Sequence, residues 1–260
     1  MPSLTPILGH AAPFLLVVFR LAGLMVFTPL LANRAMPRRF RVMLAVMFAA
    51  AIYPTLPAAV QIEPDIDLAG LLPLVVSELL IGVVIGFLAG LPVLAMDLAG
   101  FMMGHQMGMS LARVYNPDVG SDTDTFGQLL MYVALGAFVA LGGLEAAFLA
   151  LVSTFKNVPI GAFALDRVPL DSVVGVIASG VELAVRVAAP VLSMIFLLMI
   201  ALGFVMKTMP QINVMSVGFT VKILLGVAML AASLGAMQHA TSDEIGRVLR
   251  MIVDWGRSLT

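Results

Sequence analysis

Apolar residues fill the chain in six long runs, at about residues 11–31, 42–60, 68–101, 129–155, 173–206 and 214–237, with short polar stretches between them. Runs of this length read as helical segments in or near a bilayer, whose apolar core takes about 20 residues of helix to cross. Two kinds of run depart from a simple span. The run from Val42 is interrupted by YPTLP, where Pro54 and Pro57 each remove a helical N–H and clash with the preceding turn, so its unbroken helix is too short to cross. The runs 68–101 and 173–206 are too long, and Pro92 and Pro190 inside them predict either a bent helix or a hairpin tip. The pattern therefore predicts an all-α integral membrane protein of about six hydrophobic segments, several bent or re-entrant and paired as hairpins.

Beyond the last run the pattern changes to an amphipathic one. In TSDEIGRVLRMIVDWGRSL, Ile245, Val248, Leu249, Ile252 and Trp255 recur at helical spacing opposite Arg247, Arg250 and Arg257. Thr241 and Glu244 match a capping box, which predicts a separate C-terminal helix over 241–260 that docks on a neighbouring subunit or at the membrane interface.

Composition agrees with the pattern and narrows the classes. The 260 residues are 61% hydrophobic and 11% charged, with a mean hydropathy of +1.09, leaving no room for a separate soluble domain. A net charge of −1 offers no basic surface for nucleic acid, and the absence of cysteine excludes disulfides, thiolate metal sites and thiol catalysis. The first positive charge, Arg20, lies inside an apolar run, so the first segment is expected to stay in the mature protein. Arg34, Arg38, Arg39 and Arg41 in one connection and Glu63, Asp65 and Asp67 in the next predict a cytoplasmic arginine loop and an external N-terminus.

Within the runs two features need a reason. Gly82, Gly86 and Gly90, and again Gly100, Gly104 and Gly108, recur every four residues, and each set makes a groove that lets a second backbone approach closely. The partner is equally a helix of this chain or of another subunit. Arg20, Glu78, Asp97, Glu145, Glu182 and Arg186 are ionisable, and each can cost about 2.5 to 3.5 kcal/mol at a helix centre. Glu182 and Arg186 stand four apart with the acid first, which favours a neutralised helical pair over a proton relay. Arg20, Glu78 and Asp97 either pair with one another or with a neighbour, or line an aqueous path.

Catalytic patterns are absent: there is no HExxH, GxSxG or P-loop, and His10, His105 and His239 are far apart. The acidic stretch NPDVGSDTD, with Asn116, Asp118, Asp122 and Asp124, could hold a hard cation or a magnesium-bound diphosphate as in membrane prenyltransferases. Those enzymes use a second acidic motif that this chain lacks, so a solvated turn is the better reading. No cofactor or metal is expected. Met102, Met103, Met107 and Met109, among 19 methionines, crowd the segment before that stretch and suit either a deformable apolar seal or ordinary packing. Pro210, Gln211, Asn213 and Lys222 in MPQINVMSVGFTVK interrupt an apolar region with amides that need partners if buried.

Arg20-x-x-Gly23, the prolines and arginines of TPLLANRAMPRRFRVMLA, GHQMGMSLARVYNPDVG, STFKNVPIG and the closing MPQINVMSVGFTVKILLG occur in the order and spacing of one family. The chain resembles the FliR/MopE/SpaR family, the R component of flagellar type III export gates, related to the T component of virulence injectisomes. It departs from the family's habit at Thr220, Met215 and Leu144, which bears on local geometry only.

That resemblance implies a non-catalytic conduit in the bacterial inner membrane at the flagellar basal body. It would assemble with FliP and FliQ, alongside FlhB and FlhA homologues and membrane lipid, to pass unfolded flagellar proteins. It implies a FliP-like part over 1–171 and a FliQ-like hairpin over 172–240, with helices raised toward the periplasm. By the same resemblance Met107, Met109, Arg113, Tyr115, Asn116, Pro117 and Asp118 belong to a plug loop, and Pro210, Gln211, Asn213, Gly218 and Lys222 to an assembly or conduit signature. The other readings are a virulence-type secretion gate, a small-solute transporter, for which no internal repeat is evident, and the prenyltransferase.

Overall fold

In the computed structural model, residues 5–32, 36–56, 68–109, 125–158, 160, 170–208 and 214–258 are described. They form helices α1 (Thr5–Phe27), α2 (Arg38–Ile52, followed by a 3₁₀ turn Tyr53–Thr55), α3 (Leu68–Met107), α4 (Thr125–Ala140), α5 (Gly143–Asn157), α6 (Leu170–Thr208) and α7 (Val214–Ser258). No strand occurs among the described residues, so the all-α reading holds. Among the described residues, four helices are long and apolar enough to cross a membrane, at His10–Phe27, Leu71–Met107, Asp171–Thr208 and Val217–Trp255, or five segments if the bent pair α4 and α5 counts as one span.

The expectation that the second run is too short is met: α2 has 15 residues, and Pro54 lies in the 3₁₀ turn that ends it. The overlong runs resolve as single helices of 40 and 39 residues, not as hairpins with proline tips. Pro190 withdraws the N–H that would meet the Arg186 carbonyl, yet the surrounding leucines, valines and alanines keep the helix going. The run 129–155, taken as one segment from hydropathy, is two helices. Gly142 at φ +69° is left-handed backbone that only glycine adopts cheaply, and it divides α4 from α5 without interrupting the apolar pattern.

The C-terminal expectation needs correction. α7 runs unbroken through Thr241, whose hydroxyl donates to the Met237 carbonyl at 2.7 Å, so it is a mid-helix residue and no capping box forms. No breaker stands between Met229 and Ala240 except Gly235, and alanine and leucine carry the helix past it. The amphipathic face is real: Ile245, Val248, Leu249 and Ile252 are buried while Arg247 and Arg250 are exposed. That apolar face is covered within this chain, not left for a neighbour.

Two compact units share the chain. One comprises Met1–Leu91, Val139–Val176 and Ile245–Thr260, the other Pro92–Phe138 and Ile177–Glu244. In the first, Leu16, Val17, Leu21 and Leu24 of α1 are buried together with Ile81, Ile85 and Leu88 of α3 and Ala147, Ala150 and Leu151 of α5. α1 and α3 meet backbone to backbone. A Cβ on Gly82 would strike the Arg20 carbonyl and lie 2.7 Å from the Leu24 nitrogen, one on Gly86 would lie 2.5 Å from the Leu24 carbonyl, and one on Gly90 2.8 Å from that of Phe27. Gly23 answers from α1, facing the Leu79 carbonyl and Val83 nitrogen. The first glycine groove therefore serves packing inside the chain.

In the second unit Met96, Ala99, Met103 and Met107 of α3, Ala134 and Phe138 of α4, Leu183, Val187, Val191 and Ile195 of α6, and Leu230 and Met237 of α7 are buried. Gly100 admits the α4 backbone at Phe126 and Gly127, and Gly226 of α7 admits the Met107 side chain. Gly108 does not extend the groove. It adopts φ +87° and ends α3, with its N–H on the His105 carbonyl at 3.0 Å and the Met109 N–H on that of Gly104 at 3.2 Å.

Candidate functional site: a buried ion pair and exposed helix faces

The central polar feature of the first unit is Arg20, fully buried on α1. Its Nε donates to Glu78 Oε2 of α3 at 2.5 Å, its Nη1 donates to Thr154 Oγ1 of α5 at 3.1 Å, and its guanidinium lies 4.2 Å above the Phe155 ring. Glu78 is also fully buried. Helix periodicity explains the meeting: Arg20 stands beside Leu16, Leu21 and Leu24 on the buried stripe of α1, and Glu78 beside Ile81 and Ile85 on that of α3. A charge here is tolerable because it is paired, hydrogen-bonded and stacked at once. The pair joins three helices and touches no solvent, which argues for a structural lock and against an aqueous path.

The sequence left Arg20, Glu78 and Asp97 to pair with one another or with a neighbour, or to line an aqueous path, and Thr154 and Phe155 did not stand out in it. Their signal was a threonine following Ala150 and Leu151 on the face that a helical period of 3.6 buries. The Thr154 hydroxyl accepts from Arg20 and donates to the Leu151 carbonyl at 2.6 Å, so both its functions are used.

Asp97 belongs to the other unit, half-buried on α3, where its Oδ1 lies 2.7 Å from the place a Cβ on Gly127 would take. Glu182 and Arg186 form the expected pair at 2.5 Å, with side chains 68% and 63% exposed. Glu145 is exposed in the first turn of α5.

Of the residues expected in a plug loop, Met107 is buried against Gly226 and Met109 is half-buried in the turn after α3; Arg113, Tyr115, Asn116, Pro117 and Asp118 lie outside the described residues. So do Asp122 and Asp124, and Pro210, Gln211 and Asn213 of the expected signature, whereas Gly218 is buried and Lys222 half-buried on α7. Among the described residues no group of His, Asp and Glu is arranged to hold a metal ion. His10 hydrogen-bonds Tyr53 at 2.9 Å and His105 stacks on Phe101.

Large apolar side chains are exposed on α2, α6 and α7. Phe196, Leu197 and Phe204 on α6 and Leu224 on α7 each exceed 60% exposure, a level that suits contact with lipid or with other subunits.

The chain's residues 11–248 match the family described as Bacterial export proteins, family 1. It is 26% identical over 242 residues to "Flagellar biosynthetic protein FliR" of Escherichia coli (strain K12), covering 91% of this chain and 90% of that one. It is 28% identical over 223 residues to the protein of the same name from Bacillus subtilis (strain 168), 84% of each chain. It is also 28% identical over 196 residues to "Yop proteins translocation protein T" of Yersinia pestis, 74% of each.

Proposed function

The chain belongs to the bacterial export proteins, family 1, and from that we propose that it works as the FliR-type subunit of a flagellar type III export gate. It is a structural component and not an enzyme. The observation that carries the flagellar reading is coverage. Flagellar relatives align over 91% and 84% of this chain, the translocation protein T over 74%.

In this reading the protein sits in the inner membrane and joins FliP and FliQ homologues, with FlhB and FlhA nearby, around a passage for unfolded flagellar proteins. Residues 1–171 act as the FliP-like part and 172–240 as the FliQ-like hairpin. The exposed apolar faces of α6 and α7 support this, since a chain burying only 11% and 17% of its two last candidate spans leaves most of both to lipid or neighbours. Pro210, Gln211, Asn213, Gly218 and Lys222 act as the assembly or conduit signature, whose amides find partners on another subunit. Co-expression with FliP and FliQ homologues and pull-down through a tag on this chain tests the reading. A stable complex is expected, and a chain that purifies alone while the other two assemble without it would overturn it.

The connection between α3 and α4 serves as the plug, with Met107 and Met109 at its base and Arg113, Tyr115, Asn116, Pro117 and Asp118 within it. Its base is well anchored, because Met107 is buried and Gly108 stops the helix sharply. Removing Val114 to Gly120 in frame is expected to leave the complex intact while raising its permeability to ions several-fold in proteoliposomes. A mutant complex as ion-tight as wild type would return this connection to the role of a linker.

A further inference from the structure

The first half of α7 is held to its own unit by little. Of residues 219–229 only Gly226 is buried within this chain. The atoms nearest to a Cβ placed there all belong to one side chain, that of Met107, the last residue of α3 and itself fully buried. The Cβ would strike Met107 Cε and lie 2.8 Å from Sδ and 3.0 Å from Cγ. Gly226 is thus a notch in α7, and Met107 is the peg that fills it. The second half of α7 is met more broadly: Leu230, Met237 and Thr241 are all buried, and the Thr241 hydroxyl oxygen lies 3.1 Å from Sδ of Met96, another α3 methionine.

The peg stands immediately before the end of its helix. Gly108 turns the chain out of α3 at φ +87°, with the Gly108 and Met109 N–H groups bonded back to the His105 and Gly104 carbonyls. Those two bonds are local to α3. Met107 supplies the one hold on this end that depends on where the first half of α7 stands. Its chemistry suits a hold that is made and released: methionine is unbranched, with three rotatable bonds, so it can leave a notch and re-enter it without moving either backbone. The α1–α3 contact at Gly82 is of the opposite kind, since the atoms it meets are backbone.

We propose that Met107 seated in the Gly226 notch is a latch by which α7 positions the end of α3, so that a shift of the first half of α7 away from α3 frees the point where the α3–α4 connection begins. This rests on the reading of that connection as the plug, and it names the positioning residues that couple the plug to the C-terminal helices. The burial of Met107 lies inside one chain, so a neighbouring subunit covering the outside of α7 leaves the latch in place.

Gly226→Ala evicts the peg without breaking the helix that holds the notch, because the atoms in its way are mainly the mobile end of one side chain and alanine is the better helix former. Met107→Ala removes the peg from the other side. Each variant, and the two combined, is purified as the complex with FliP and FliQ homologues and followed by hydrogen exchange and by ion permeability in proteoliposomes. Each single change is expected to speed exchange of the Gly108 and Met109 amides about tenfold while leaving α1 as protected as in wild type, and to raise permeability several-fold. The combined variant should fall short of the product of the two, since the new methyl group enters space that the peg has left. Wild-type exchange at Gly108 and Met109 in both single variants would overturn the proposal, as would singles that simply multiply. Faster exchange with unchanged permeability would overturn it too, provided that deleting Val114 to Gly120 makes the same complex leak. If that deletion leaves the complex ion-tight, the plug reading is what fails, and the hold of α7 on the end of α3 is decided by exchange alone.

Discussion

Replacing Gly82 with alanine is expected to abolish the folded chain's assembly, although the change adds one methyl group to a helix that alanine would ordinarily favour. The new Cβ would strike the Arg20 carbonyl and come within 2.7 Å of the Leu24 nitrogen, and both are backbone atoms of α1 that no rotamer change can move aside. Overpacking of this kind typically costs about 1 to 3 kcal/mol, and the rigid obstacle here places Gly82 at the upper end or beyond. Gly136→Ala is the matched control. Gly136 lies exposed in α4 with nothing within 4 Å of a Cβ, so the substitution should be neutral or stabilise by up to about 1 kcal/mol. Thermal midpoints in detergent, with yields of the purified chain, decide the matter. Gly82→Ala purifying at wild-type yield and midpoint would mean that α1 and α3 do not approach as closely as their glycines suggest.

The contrast between Gly82 and Gly136 shows what the sequence makes legible and what it hides. A four-residue glycine period announces a close helix contact, but the period is the same whether the opposing helix belongs to this chain or another. For Gly82, Gly86 and Gly90 the opposing backbone is α1, and Gly23 on α1 completes the contact from a position with no repeat of its own. Gly108 satisfied the period and yet ends its helix, because a positive φ leaves no trace in residue spacing. The α4–α5 break was hidden for a related reason: Gly142 interrupts the backbone, while hydropathy averages over it. Thr241 shows the reverse error. A capping box was read from Thr241 and Glu244, but capping requires a preceding residue that refuses the helix, and Gln238, His239 and Ala240 do not.

Charge was the most legible signal. Of the ionisable residues flagged inside the apolar runs, Arg20 pairs with Glu78 and Glu182 with Arg186, while Asp97 is half-buried and Glu145 exposed. Glu182 and Arg186 pair as their spacing dictates, because four residues fix the geometry within one helix. Arg20 and Glu78 are 58 residues apart, and periodicity places each on a buried stripe without saying which stripes meet. The expected plug loop and assembly signature lie largely outside the described residues, so the resemblance that assigned them and the chain's family membership remain their support.

The buried pair gives the second large effect. Arg20→Met alone is expected to destabilise the chain severely, by about 3 to 5 kcal/mol, because it leaves the Glu78 carboxylate buried without its counter-charge. Glu78→Leu alone should do the same from the other side, stranding the Arg20 guanidinium with only Thr154 and the Phe155 ring. The double replacement strands neither charge. Buried ion pairs exchanged for apolar residues of similar volume are often neutral, so Arg20→Met with Glu78→Leu should recover most of what either single change loses. Thr154→Val tests the third helix: it keeps the shape, removes the acceptor of Arg20 Nη1 and should cost about 1 to 3 kcal/mol. Each variant is compared by thermal midpoint in detergent and by recovery in the complex, which reads the fold and the assembly separately. If the double variant were as unstable as the sum of the singles, the two side chains would act independently, and the pair could not be the lock between α1 and α3. If instead the double variant folded and assembled but no longer supported export, the charges would serve transport, and their burial in one unit would have to open during the export cycle.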